Sequence, residues 1–145
     1  PSLVVDDCEL KRPAPSYTVD TLQAQRKASG PVIPIIWIMG VDGLADLDRW
    51  KNWQTLTDFA HLVIVQRPGH SPQPSAAVSG WLAERSTPDA LNRLNCTPCG
   101  YCLFWNLPPQ PFSSTAIRQA LHHGEPVEGL PDTVRQYIHS HHLYT

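Results

Sequence analysis

The 145 residues fit one domain, and 41% apolar side chains are enough to bury a core. A net charge of −2, with Arg and Lys scattered, excludes the basic surface that nucleic-acid binding needs, and no stretch approaches the ~20 apolar residues of a membrane span. The N-terminus lacks the basic start and long apolar run of a secretory leader, so Cys8, Cys96, Cys99 and Cys102 are expected as thiols in a cytoplasmic setting.

In chain order, Val4–Arg12 begins apolar and turns charged, as at a strand end, before Pro13 and Pro15 break it. Ser16-Tyr17-Thr18 offers helix caps, and Val19, Leu22 and Arg26 follow at helical spacing until Gly30. Residues 31–39 are almost wholly apolar, as in a strand buried on both faces of a parallel sheet. Gly40-Val41-Asp42-Gly43 then turns the chain. Leu44, Leu47 and Trp50 suggest one short helix, and Trp53, Leu56 and Ala60 a second. His61–Gln66 is a second apolar strand, closed by Arg67-Pro68-Gly69. Strand, helices, strand is a crossover unit, expected parallel and right-handed. Residues 70–79, rich in Pro, Ser and Gln, read as a loop. Short helices follow around Trp81-Leu82 and Leu91…Leu94, the second begun by Thr87-Pro88-Asp89 with Pro at the first turn. Gly100–Asn106 is the third strand, with Cys102-Leu103-Phe104-Trp105 as its buried run. Residues 112–121 form a helix ended by Gly124. A last helix over 131–139 places Val134, Tyr137 and Ile138 on one face.

Ligands of such sheets sit beyond the carboxyl ends of the strands, which puts Gly40–Asp42 and Arg67–Gly69 on one rim. Asp42 there can bind a hydroxyl, a ring N–H or a metal, or simply cap the next helix. Arg67 can reach phosphate or stand solvated. Trp50 and Trp53 can stack on a flat ring or fill the core. Ser113, Ser114 and Thr115 open a helix whose amides and positive end attract anions, with Arg118 one turn inside. The same pattern describes an ordinary capped helix with a surface Arg. Cys96-x-x-Cys99-x-x-Cys102 invites a metal, but no fourth ligand has matching spacing, and Cys102 reads as a small hydrophobe in a strand. Of the seven histidines, His122, His123, His139, His141 and His142 can bind adventitious metal but read as a solvated helix end and tail.

Three separated motifs converge on one family. The first is Glu9-Leu10-Lys11-Arg12 followed by Ser16-Tyr17-Thr18-Val19-Asp20-Thr21-Leu22. The second is Gly40-Val41-Asp42-Gly43-Leu44 with Trp50 and Arg67-Pro68-Gly69. The third is Phe112-Ser113-Ser114-Thr115-Ala116-Ile117-Arg118 with Val134, Tyr137, Ile138 and Tyr144. Together they resemble bacterial nicotinate-nucleotide adenylyltransferase, from about Val5 to Tyr144, with residues 71–107 the weakest stretch. The Ser-Ser-Thr…Arg element is shared with the pantetheine-phosphate enzyme. The other two motifs are narrower.

The resemblance implies an α/β, Rossmann-like nucleotidyltransferase fold over 1–145. It implies adenylyl transfer from ATP to nicotinate mononucleotide, giving deamido-NAD and pyrophosphate with Mg²⁺. Carried over by position, Tyr17, Thr18, Asp42 and Trp50 hold the mononucleotide, with Trp50 stacked on the pyridine. Ser113, Ser114 and Arg118 bind ATP phosphates, with Arg67 near the adenosine. Gly43 replaces a usual Ser, and Phe112 a usual Ile. The Gly-Gly-x-Phe-Asp-Pro-x-His-x-Gly-His stretch that opens the family, and whose histidines polarise ATP, does not occur in this sequence, so no catalytic residue is assigned. That stretch with its flanking elements amounts to two supersecondary units, on the order of 60 residues. The resemblance thus corresponds to the C-terminal portion of the family domain, and the chain alone is expected to be inactive, with an exposed sheet edge or apolar face. Alternatives are a non-catalytic piece with partial nucleotide binding, or a related adenylyltransferase with another acceptor. A homodimer is compatible with the resemblance.

Overall fold

A computed structural model describes residues 3–66, 73–108 and 113–144. The chain divides into two compact units, Pro1–Leu107 and Pro108–Thr145. In the first, three parallel strands stand in the order β1 (Ile36–Gly40), β2 (His61–Gln66), β3 (Cys102–Asn106). Ile36 pairs with His61, and Leu62 with Cys102. The strands expected within 31–39, 61–66 and 100–106 are present, the first beginning only at Ile36, and each parallel link is made by a helical crossover.

The sheet buries one face. Trp37, Leu62 and Cys102 align across it, followed by Met39 and Ile64. Leu62, Ile64 and Cys102 are 1%, 0% and 1% exposed. Against this row pack α1 (Thr18–Ser29) through Val19 and Leu22, the 3-10 helix Val41–Arg49 through Leu44 and Leu47, α2 (Leu56–Phe59) through Leu56, and α3 (Ala76–Arg85) through Val78, Trp81 and Leu82. Each aliphatic side chain taken out of water here contributes about 1.5–3 kcal/mol. On the opposite face Ile36 and Ile38 are 45% and 65% exposed.

Several expectations are corrected. Among the described residues 3–12 form no strand: Val4 and Val5 are exposed, and hydrogen bonds hold the segment to α1 instead. Gln25 donates to Asp6 at 2.6 Å, Arg12 donates to the Thr21 hydroxyl at 3.0 Å, and that hydroxyl donates to Glu9 at 2.6 Å. Part of the expected loop is helix: Ser75 accepts from the Val78 amide and starts α3, because Val78 and Trp81 have a core to fill. Residues 70–72 lie outside the described residues. Pro88 precedes the cap Asp89 of α4 (Ala90–Cys96) rather than standing in its first turn. β3 is buried only at Cys102; Phe104 and Trp105 are 41% and 44% exposed, since the strand's one ladder among the described residues is with β2.

Two polar side chains tie the loops to this core. Arg26 donates all five of its N–H groups to main-chain carbonyls: Phe59 twice, Gly30, Ile33 and Pro98, at 2.5–3.0 Å. His61, 0% exposed, accepts the Tyr101 amide at Nδ1 and lies 2.8 Å by Nε2 from the Thr97 carbonyl, so Nε2 carries the proton. Trp81 donates its indole N–H to the Gln54 carbonyl, and Arg85 donates to the buried Thr57 hydroxyl.

In the second unit α5 (Ser114–His122) ends at His123 and Gly124, and α6 (Asp132–Ser140) follows. Gly124 takes φ 68°, a left-handed value that suits a residue without Cβ. Val134 and Tyr137 of α6 are exposed and Ile138 half-buried. Among the described residues no helix is long and apolar enough to cross a membrane.

Replacing Arg26 by Ala leaves several carbonyls without donors and is expected to cost about 2–4 kcal/mol, read as a lower urea midpoint with unchanged m; Lys, with three donors on one point, recovers only part. Burial pushes the Cys102 thiol from 9.0 up to about 12. The neutral thiol is therefore favoured by folding. That contribution is full below pH 9 and is lost as pH rises towards 12, so Cys102→Ala should flatten the alkaline fall in stability over that window.

Candidate functional site

Ser16, Tyr17, Thr18, Arg49, Trp50 and Lys51 line a cleft of about 350 Å³ in the first unit. Two chain segments build it. One is the start of α1. Its N-cap is Tyr17, with extended backbone and no side-chain cap, and the expected hydroxyl cap is absent: Ser16 donates its hydroxyl to the Glu9 carbonyl instead. The Asp20 and Thr21 amides return to the Tyr17 carbonyl, and among the described residues no side chain takes the amides before them. The helix thus presents open donors and the positive end of its dipole to the cleft.

The other segment is the end of the 3-10 helix. Trp50 is its C-cap, and the Trp50 amide returns to the Leu47 carbonyl. The half-buried Trp50 ring leans on Trp37, centroids 5.8 Å apart at 54°, with Trp37 half-buried on β1. Gly43 leaves room beneath: a Cβ there would come within 2.5 Å of the Met39 methyl and 4.0 Å of the Trp50 ring. The space beside Gly43 is thus filled by the Met39 side chain. Trp53, three residues on, turns the other way: Asn52 adopts φ 49°, and Trp53 packs edge-on to Trp81 in the core, 5.4 Å between centroids. Of the two Trp candidates, only Trp50 faces the cleft.

Tyr17, Thr18 and Trp50 therefore meet in one place. Asp42 does not line this cleft. It is exposed in the first turn of the 3-10 helix, where Gly40 is the cap, and it caps nothing. Arg67 lies outside the described residues, as does Phe112. In the second unit, Ser113 caps α5 by accepting the Ala116 amide at 3.1 Å, and Arg118 donates Nε to the Ser114 carbonyl at 3.1 Å. Ser113, Ser114 and Arg118 are all exposed on the first turns of that helix.

Ser16, Arg49 and Lys51 are cleft residues that the motif reading passed over. The signal was present as two cations flanking Trp50. Arg49 pairs with Asp46 at 3.1 Å in solvent, and Lys51 with Asp20 at 2.9 Å. The cysteines do not form a centre: Cys96 is exposed, Cys99 donates to the Asp58 carbonyl, and Cys102 is buried. Among the described residues no three His, Cys, Asp or Glu side chains cluster to hold a metal.

Residues 1–120 match the Cytidylyltransferase-like family. Curated relatives include a "Probable nicotinate-nucleotide adenylyltransferase" of Serratia proteamaculans (strain 568), 38% identical over 99% of this chain and 66% of the relative. The same name is carried by a protein of Aeromonas salmonicida (strain A449), 41% identical over 99% of this chain and 67% of the relative. The chain thus spans about two thirds of the length of the relatives it matches. Among solved structures, Plasmodium falciparum nicotinic acid mononucleotide adenylyltransferase complexed with NaAD superposes with a TM-score of 0.59 at 17% identity, over 90% of this chain and 58% of that one. The same enzyme complexed with APC gives 0.59 at 16% identity. The likeness of fold agrees with the parallel three-stranded sheet, and the sequence identity is spread over nearly the whole chain: it belongs to the Cytidylyltransferase-like family, within the nicotinate-nucleotide adenylyltransferase branch.

Proposed function

We propose that the protein transfers the adenylyl group of ATP to nicotinate mononucleotide, giving deamido-NAD and pyrophosphate in NAD biosynthesis. The observation that carries the reading is the cleft between Tyr17 and Trp50, where an aromatic wall meets the uncapped start of α1. A flat ring bearing a carboxylate matches both features. The Trp50 ring stacks on the pyridine, and the open amides and the hydroxyl at Thr18 take the carboxylate. Asp42, exposed on the rim beyond β1, accepts from a nucleotide hydroxyl. The family match crosses the boundary between the two units, which supports one nucleotidyltransferase domain over 1–145.

On this reading Ser113, Ser114 and Arg118 take the phosphates of ATP, and Arg67 serves the adenosine side. Arg118 gives only its Nε–H to the Ser114 carbonyl, so its two terminal nitrogens can fork onto a phosphate without breaking that bond. An oxygen of the mononucleotide phosphate attacks the α-phosphorus, the bond to the β-phosphate oxygen breaks, and pyrophosphate leaves with that electron pair. Little covalent help is needed, so the protein contributes positioning and charge. Mg²⁺ enters this reading with ATP, as its magnesium salt, where it would neutralise charge on the phosphates. The reaction is placed in the cytoplasm, where ATP is available.

Full-length protein given magnesium-ATP and nicotinate mononucleotide should release pyrophosphate; none released overturns the reading. In that enzyme Trp50→Ala should raise KM for the mononucleotide about fivefold with kcat little changed, since ring stacking is worth about 1 kcal/mol. An unchanged KM removes the stacking role. Arg118→Ala should weaken ATP use by about 1.5–3 kcal/mol in kcat/KM; no loss returns Arg118 to bracing its own helix.

A further inference from the structure

Lys51 follows the stacking residue Trp50 and lines the same cleft. Its ammonium is held at two points. Both oxygens of Asp20 accept from it, at 3.1 and 2.9 Å. The Tyr17 ring lies beneath it, 4.7 Å from Nζ to the centroid. Asp20 sits in the first turn of α1, beside the open amides of the cleft. One cation thus joins three cleft elements: the helix start, the aromatic wall and the end of the 3-10 helix.

The charges make this arrangement consequential. A carboxylate one turn into α1 opposes any anion brought to that helix start. Lys51 cancels it where it stands. The other cation of the cleft, Arg49, is occupied by Asp46 and is 82% exposed, so it is poorly placed to compensate. Removing the Lys51 charge would leave Asp20 facing the ligand. An anionic pyridine carboxylate feels that change directly. Its neutral amide counterpart does not.

We infer that Lys51 is a specificity-determining positioning residue: by pairing with Asp20 over the Tyr17 ring, it makes the cleft accept an anionic aromatic ring in preference to its neutral amide. The inference rests on the mononucleotide reading and assigns the selectivity of that site. Lys51 acts through Asp20 and Tyr17.

The test compares kcat/KM for nicotinate and nicotinamide mononucleotides in the full-length enzyme with magnesium-ATP. Lys51→Met keeps the apolar stem and deletes the charge. It should lower the acid-to-amide ratio roughly fivefold at low salt, mainly through KM for the acid, as expected of one partly screened charge near the ligand. Lys51→Arg should hold the ratio. Asp20→Asn combined with Lys51→Met should restore most of it, because no uncompensated carboxylate then remains. An unchanged ratio in Lys51→Met overturns the inference. So does an equal loss on both substrates, which marks a purely structural role, or a double variant no better than the single. If the unsubstituted enzyme uses neither mononucleotide, the functional reading fails and the inference with it; turnover with an unmoved ratio sinks the inference alone.

Discussion

Arg26 stands near the C-terminal end of α1, where the helix dipole is negative, and it has no carboxylate partner among the described residues. Its five N–H groups instead collect four carbonyls from three segments: residues 30 and 33 between α1 and β1, residue 59 at the end of α2, and residue 98 before β3. Every strand of the sheet is therefore entered from a segment tied to the same guanidinium. A planar fork satisfies these acceptors in one geometry, which a flexible ammonium does not. Fixing the far end of α1 in this way also fixes its near end. The helix is 12 residues long, and its first turn builds the cleft.

His61 performs the matching task on β2. The ring spans the Tyr101 amide and the Thr97 carbonyl and stacks on the Tyr101 ring, 5.8 Å between centroids. The turn into β3 is thus held from β2 by a neutral side chain with both nitrogens in use. Together Arg26 and His61 satisfy backbone groups that the short loops leave without ladder partners, and no buried side-chain polar atom among the described residues lacks a partner. These loops carry Pro31, Pro34 and Pro98, which remove donors and leave carbonyls to be met from elsewhere.

The strands were legible because a parallel sheet writes itself as continuous apolar runs, and residues 61–66 were read to the residue. Helix starts were less legible. Ser16-Tyr17-Thr18 offers two hydroxyls, and the structure uses neither as a cap, because Ser16 is drawn to the Glu9 carbonyl by the returning N-terminal segment. Val4 and Val5 give that segment the look of a strand end entering a core. Both are exposed, and the polar residues Asp6, Glu9 and Arg12 decide the docking instead. Arg26 was visible only as a periodic position. Main-chain carbonyls carry no residue identity, so nothing in the sequence announces a side chain whose partners are all backbone.

Trp50 and Trp53 show where pattern gives way to geometry. Both sit at helical spacing in adjacent short elements, and by pattern either is a candidate for stacking on a flat ring. The chain between them does not continue as one helix. It ends in a 3-10 turn capped at Trp50, then passes through a left-handed Asn52. That single reversal sends Trp53 into the core against Trp81 and leaves Trp50 half-buried at the cleft, backed by Trp37. A ring buried on one side and open on the other is what stacking on a planar ligand requires. The backing ring limits its rotation, so less freedom is lost on binding. Asn52 tolerates the left-handed backbone better than most residues, which makes it the hinge on which the division between core and site depends.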